Sequence, residues 1–284
     1  MAGAEAGATA GATAGATAGV MAGAVAGQPA GAMAGAMAVD PSCDPSWLAL
    51  SDRPLLDALY AELSGDYRPI AVELDLGGNP NRYTTARRLM FTVVERRSQG
   101  VYLLYVGTLY GLTEGAEPPH NVINTEHSWP RSRLASEQTD PAAYEHQQSD
   151  LHHLYPTLAA ANSARGSLPY GEAVSDLDLS FSPSLKGRDA SGREVFEPRD
   201  EVKGDLARTL FYMSARWGLA LEAYEEEVLR RWHTQDPPDD WERIRDGRVA
   251  ALQGNRNVFI ECPALVPRVA DFMAISRPEA LPLP

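Results

Sequence analysis

The sequence predicts an α+β fold: a single, mainly helical domain with a strand hairpin and a short helix embedded in its middle. Apolar residues at helical spacing near both ends of the globular region predict the helices. A β-branched and aromatic run bounded by glycines, "GVYLLYVGTLYG", predicts strand. Between them, five of the six histidines crowd into a window of alternating strand-like and turn-like residues, which predicts a polar site on a hairpin.

Residues 1–45 stand apart from this domain, which takes in residues 46–284. "AGATAGATAGATAG" and "AGAVAGQPAGAMAGAMA" form a short-period repeat rich in Ala, Gly and Thr, with no aromatic or basic side chain. Such a segment has little large apolar surface to offset its ordering entropy, so it reads as a disordered tail. A secretory leader places basic residues before its apolar run, and the first basic residue here is Arg53, so export stays open. No apolar run is long and glycine-free enough to span a bilayer.

Within the domain, "SWLALSDRPLLDALYAEL" reads as a helix with Leu48, Leu55, Leu56, Leu59 and Leu63 on one face. "YTTARRLMFTVVERR" reads as a second helix, capped by Thr84 or Thr85. The strand "GVYLLYVGTLYG" follows, then the strand end bearing Glu126 and His127, then a polar loop, "SRLASEQTDPAAYEHQQ". In "SDLHHLYPT" strand alternation puts Leu151, His153 and Tyr155 on one face and His152 and Leu154 on the other. Thr157 is placed to cap a short helix, "LAAANSAR", closed by Gly166. "DEVKGDLARTLFYMSARWGLALEAYEEEVLRRW" reads as helix, with Leu206, Leu210, Met213 and Trp217 as its apolar stripe.

The net charge of −13 lowers the expectation of tight, non-specific polyanion binding, but a catalytic groove needs only a few local cations. Nearly all the basic residues are arginines, Lys186 and Lys203 being the only lysines. Cys43 and Cys262 lie near opposite ends of the domain and in no CxxC pair; two free thiols and a disulfide are both open.

His120 and His146 fall in polar loops and read as bystanders, whereas His127, His152 and His153 fall on strand segments that can hold a base or ligand rigidly. A hairpin followed by a helix can bring His127, Glu126 and the helical Asn162 around one hard cation. An imidazole of near-neutral pKa takes a proton from water, and a divalent ion on oxygen ligands steadies a phosphorane, so the set fits phosphodiester hydrolysis.

The blocks "NTEHSWPRS", "SDLHHLYPT", "ANSARGSLPYGE", "FEPRDEVKGDLARTLFYMSARW" and "QGNRNVFI" resemble, in order, those of the endonuclease I family, bacterial secreted or periplasmic nucleases of the ββα-metal (His-Me finger) superfamily. The resemblance spans roughly residues 83–272. It implies a ββα-metal finger and a magnesium-dependent endonuclease, with manganese or calcium as substitutes, acting on DNA, often RNA too, and leaving 5′-phosphate ends. It also implies His127 as general base, and Glu126 and Asn162 as magnesium ligands. Some relatives use an Arg from the loop after the Glu-His pair on the scissile phosphate, and that loop offers Arg131 and Arg133. The multiple disulfides of some relatives are missing. A monomer is expected, and no membrane association.

Asp150 and His152 read as supporting residues that hold the hairpin or orient His127 by a hydrogen bond. Arg165 reads either as a phosphate contact or as a helix C-terminal charge, Arg208 as an internal ion-pair partner, and Asn255 to Asn257 as a turn satisfying buried backbone groups. Two other classes compete with this reading. A zinc hydrolase wants paired or convergent histidines, which Pro130 and the spacing disfavour. A non-catalytic nucleic-acid-binding module would not need Glu126, His127 and Asn162 together.

Overall fold

The computed structural model describes residues 43–74, 78 and 80–272. The expected tail lies outside the described residues up to position 42; at its far end, Cys43 is buried and bridged to Cys262, so the cysteines pair.

The chain begins with α1 (Pro45–Leu48) and α2 (Asp52–Gly65). The single helix read across this stretch is thus two, split at Ser51 and Asp52, whose φ is +51°. Leu55, Leu56, Leu59 and Leu63 are buried as the spacing predicts. Strands β1 (Glu73–Leu74) and β2 (Pro80–Asn81) pair antiparallel. Helix α3 (Arg82–Leu89) is capped not by a threonine but by Asn81, whose Oδ1 accepts from Thr84 N at 3.1 Å. Asn is the stronger cap and starts the helix earlier. The helix runs on into a π-turn at Met90–Val94.

Strands β3 (Arg96–Arg97), β4 (Gly100–Tyr102) and β5 (Leu109–Gly111) form an antiparallel sheet. The run read as one strand is therefore a hairpin. Gly107, at φ +63°, lets the chain reverse, and Leu103 N reaches Thr108 O.

Next come β6 (Ile123–His127), α4 (Pro141–Gln148), β7 (Leu154–Leu158) and α5 (Ala159–Arg165). The polar loop thus holds a helix, capped by Asp140 with Pro141 in its first turn, and it carries His146 into the interior. Leu151–His153 is a 3₁₀ turn and not strand, because Asp150 Oδ1 takes the His152 amide locally at 3.0 Å. Thr157 lies in β7 and caps nothing; α5 starts without a side-chain cap and ends at Gly166, φ +53°. The hairpin is in register, with Glu126 opposite Tyr155 and His127 opposite Leu154.

A second sheet, β8 (Ser175–Asp178), β9 (Leu185–Arg188) and β10 (Glu194–Glu197), precedes α6 (Lys203–Trp217), α7 (Ala223–Gln235), α8 (Asp240–Gln253) and α9 (Val258–Glu261). The long helix read over residues 200–232 breaks at Gly218, a left-handed C-cap. Helix α6 is the axis of the main core: Leu206 to Trp217 are all buried, charged residues included. Arg208 forks onto the buried Glu242 carboxylate, and Asn255 and Asn257 donate to the Leu63 and Arg208 carbonyls, as the sequence suggested. A smaller core of Met90, Phe91, Val94, Ile123, Leu151, Leu154 and Val249 supports the β6–β7 hairpin. Among the described residues no helix is long and apolar enough to cross a membrane.

Candidate active site

Among the described residues strand β6 pairs with β7 alone, so its other edge must find partners elsewhere. Helix α5, lying against it, supplies them. Asn162 Nδ2 donates to Asn124 Oδ1 (2.9 Å) and to Thr125 O (2.8 Å). Arg165, three residues on, donates from Nη1 to His127 O (3.0 Å) and from Nη2 to Ser128 O (2.8 Å). With both amide hydrogens of Asn162 spent, its Oδ1 is the atom left to accept.

These residues border a cleft of about 610 Å³ lined by Tyr83, Arg87, Asn124, His127, Arg131 and Asn162, among others. His127 is 8 % exposed and lines this cleft. Its Nε2 lies 3.1 Å from Gln148 O. A carbonyl only accepts, so Nε2 carries the hydrogen and the neutral ring has its lone pair on Nδ1. Gln148 is in the last turn of α4, where a helix leaves carbonyls without intrahelical partners. Burial, then the neighbouring His153, Arg131 and Arg165, push the His127 pKa well below the usual histidine range, so the ring is neutral at pH 7. Tyr83 and His153 hold it from two sides, with ring centroids at 5.1 and 5.2 Å.

Glu126 points the opposite way, as successive strand residues do. It is fully buried and does not line the cleft, whereas Asn162 does. Oε1 accepts from Arg165 Nη1 at 2.7 Å; Oε2 makes no hydrogen bond of ordinary geometry, although the Tyr105 hydroxyl stands near enough to favour the anion. Burial outweighs both, and the Glu126 pKa is pushed up to about 7.

Asp150 and His152 are expected to hold the hairpin or to orient His127, and their hydrogen bonds run to α6, to the end of α8 and to the segment after it. Asp150 accepts from Tyr212 Oη, Trp217 Nε1 and Gln253 Nε2 at 2.8–2.9 Å, and His152 Nε2 meets Asn255 O at 3.2 Å. They bolt the 3₁₀ turn to α6, to the end of α8 and to the segment after it, and the bond that orients His127 comes from Gln148. Arg133 is spent on the buried Glu225 at 2.8 Å, which also accepts from Tyr170 N, so it anchors the loop. Arg165 borders the cleft but is 1 % exposed, its guanidinium committed inward to Glu126 and to the His127 and Ser128 carbonyls. Arg131 is exposed on the cleft wall, its Nε on Tyr144 Oη at 2.9 Å, and has no carboxylate partner among the described residues. His120 is an exposed loop residue that borders the same cleft.

Sequence reasoning missed Tyr83, Asn124, Tyr105 and the Gln148 carbonyl. Asn124 stood two residues before Glu126 on the same strand, so alternation gave it the Glu126 face and no sign that it borders the cleft. A backbone carbonyl leaves no signal in side-chain identities.

An oriented, neutral imidazole on the wall of a polar cleft, carried by an α+β domain, is the makeup of an enzyme site and not of a plain binding surface. Comparison with known proteins then fixes the lineage. The family described as Endonuclease I matches residues 95–264, well over half of the chain, which therefore belongs to the endonuclease I family. Among its relatives are an extracellular deoxyribonuclease of Aeromonas hydrophila, 34% identical over 119 residues (40% of this chain and 49% of that protein), and an extracellular ribonuclease of Bacillus subtilis (strain 168), 34% identical over 158 residues (49% and 51%). An Endonuclease-1 of Buchnera aphidicola subsp. Acyrthosiphon pisum (strain APS) is 31% identical over 121 residues (41% and 46%). The chain spans about half the length of the curated relatives it matches.

Proposed function

We propose that the protein is a magnesium-dependent endonuclease that hydrolyses phosphodiester bonds of DNA or RNA, with His127 as general base and β6, β7 and α5 as a ββα-metal finger. The observation that carries this is the Nε2–H bond from His127 to Gln148 O, which leaves the Nδ1 lone pair of a neutral ring. That ring borders the cleft. Membership of the endonuclease I family, with relatives named for deoxyribonuclease and for ribonuclease activity, supports both polymers as substrates.

The residues fit a hard cation. Glu126 Oε2 is a buried carboxylate oxygen without a hydrogen bond, and Asn162 Oδ1 is an acceptor left open by its own amide's commitments. These two oxygens would hold magnesium, which accepts few protein ligands and keeps its waters; manganese and calcium take the same donors. Bound there, the ion supplies charge for the developing phosphorane and the leaving oxygen. Among the described residues no group of three or more His, Cys, Asp or Glu side chains could hold a metal, so nothing favours the zinc reading.

The chain's own part is then proton movement and positioning. His127 Nδ1 takes a proton from water as the water oxygen bonds to phosphorus. The bond from phosphorus to the 3′ oxygen breaks, the phosphate stays on the 5′ end, and solvent returns a proton to the 3′ oxygen. Arg131, held by Tyr144, meets the phosphodiester anion at the cleft wall. Nicking of a supercoiled plasmid tests this, run with magnesium, with EDTA, and with His127→Ala, followed by end analysis. Cleavage by the parent with magnesium only, loss in the variant, and 5′-phosphate ends are expected. Equal nicking by His127→Ala would remove the proposal.

A further inference from the structure

Helix α5 has seven residues and no side-chain cap, too little to hold its own place against β6. Asn162 ties its middle to residues 124 and 125; one residue ties its end. Arg165 reaches three successive residues at once: the Glu126 carboxylate at 2.7 Å, the His127 carbonyl at 3.0 Å and the Ser128 carbonyl at 2.8 Å. Its guanidinium lies 4.5 Å over the Tyr170 ring, and the side chain is 1 % exposed, so the fork has no freedom to swing into solvent. The planar fork is what makes this reach possible; an ammonium on a similar stem meets one such oxygen well.

We propose that Arg165 is a positioning residue for the metal-binding pair. It spends Glu126 Oε1 so that Oε2 alone is left for the cation, and it fixes the helix that carries Asn162 in register with the strand that carries Glu126 and His127. This rests on the reading of Glu126 and Asn162 as metal-binding oxygens. Asn162 and Arg165, three apart, share one face of α5, so a shift of the helix end moves Oδ1 as well. Neither the charge of Arg165 nor its bulk is the property at issue; its geometry is.

Binding of Mn²⁺, followed by electron paramagnetic resonance without substrate, separates geometry from charge. Arg165→Lys keeps the charge and loses the fork, and should weaken Mn²⁺ binding by about 10–100-fold, the usual effect of losing a group that orients a ligand. Glu126→Gln should also weaken it, and the double variant should lose less than the two single losses combined, because part of the Arg165 effect runs through Glu126. Parent-like binding by Arg165→Lys, or losses that add in full, would overturn the proposal. If Glu126→Gln binds like the parent, the metal assignment itself fails and the proposal with it, a result told apart by Glu126 being the silent position. Should Arg165→Lys not fold, the parent answers the question. The Arg165 Nε–H resonance, assigned through the backbone, should shift when magnesium is added, and an unmoved resonance overturns the proposal equally.

Discussion

Two histidine-bearing segments face each other across the hairpin and have opposite fates. The end of β6 carries His127 with one nitrogen fixed by a carbonyl and the ring at the wall of a cleft. The turn before β7 carries His152 and His153, both fully enclosed and pushed down to a pKa of about 4 by burial. Residue type and neighbourhood are shared, yet one segment presents the proposed base and the other is enclosed framework. A histidine becomes chemical when a nitrogen is left unbonded where substrate can reach it; density of histidines along the chain says only where to look.

The contrast is broken most directly by exchanging the roles. His127→Ala should lower plasmid nicking by ~10²–10⁴-fold, the range for a lost general base, with its melting temperature near that of the parent. His153→Phe should do the reverse, losing stability while folded protein keeps turnover within a few-fold. Parent-like turnover in the first variant, or collapse of turnover in folded second variant, would erase the distinction.

The proposed metal-binding pair, Glu126 and Asn162, sharpens it. Asn162→Ala and Glu126→Ala should each cut activity at low magnesium by ~10–100-fold, with partial recovery as magnesium is raised. Added imidazole should help neither, whereas it should partly restore His127→Gly. Smaller again is the division between the two arginines of the following loop. Arg131→Ala should raise KM by roughly tenfold through one lost charge-assisted contact without moving the melting temperature. Arg133→Ala should instead cost ~1–3 kcal/mol of stability, because the buried Glu225 loses its partner.

The gentlest test uses acid. His153 binds a proton near pH 6.5 when unfolded and only near pH 4 when folded, so the unfolded state takes up more protons between those values. Stability therefore falls as pH drops from 6.5 to 4, by up to ~3 kcal/mol from this one residue. Glu126, raised to about 7, acts in the other direction, losing stability as pH rises from about 4.5 to 7. Thermal melts from pH 7 to 4 should show a shallower acid decline in His153→Phe than in the parent. An unchanged slope would mean that His153 titrates normally.

Much of this was legible in the sequence, and the rest was hidden for identifiable reasons. The two hairpin strands and the short helix could be placed because Ile123 to His127 and Leu154 to Leu158 carry the strand-forming residues that the interior needs. The 3₁₀ turn at Leu151 was misread as strand because alternation cannot show that Asp150 captures the next amides. Glu126 was legible as a residue and not as a direction: that it turns inward onto Arg165 depends on which face of β6 the main core covers. Gln148 was silent, since its backbone and not its side chain serves His127.

The bridge between Cys43 and Cys262 joins the first described residue to the segment after α9, 219 positions later. Closing so long a loop removes ~5 kcal/mol worth of freedom from the unfolded chain on loop-closure entropy, which is of the order of a small domain's whole stability. Where thiols are kept reduced, the same polypeptide lacks that clasp. The proposed nuclease would then be at its most fragile in a reducing compartment and at its sturdiest in an oxidising one.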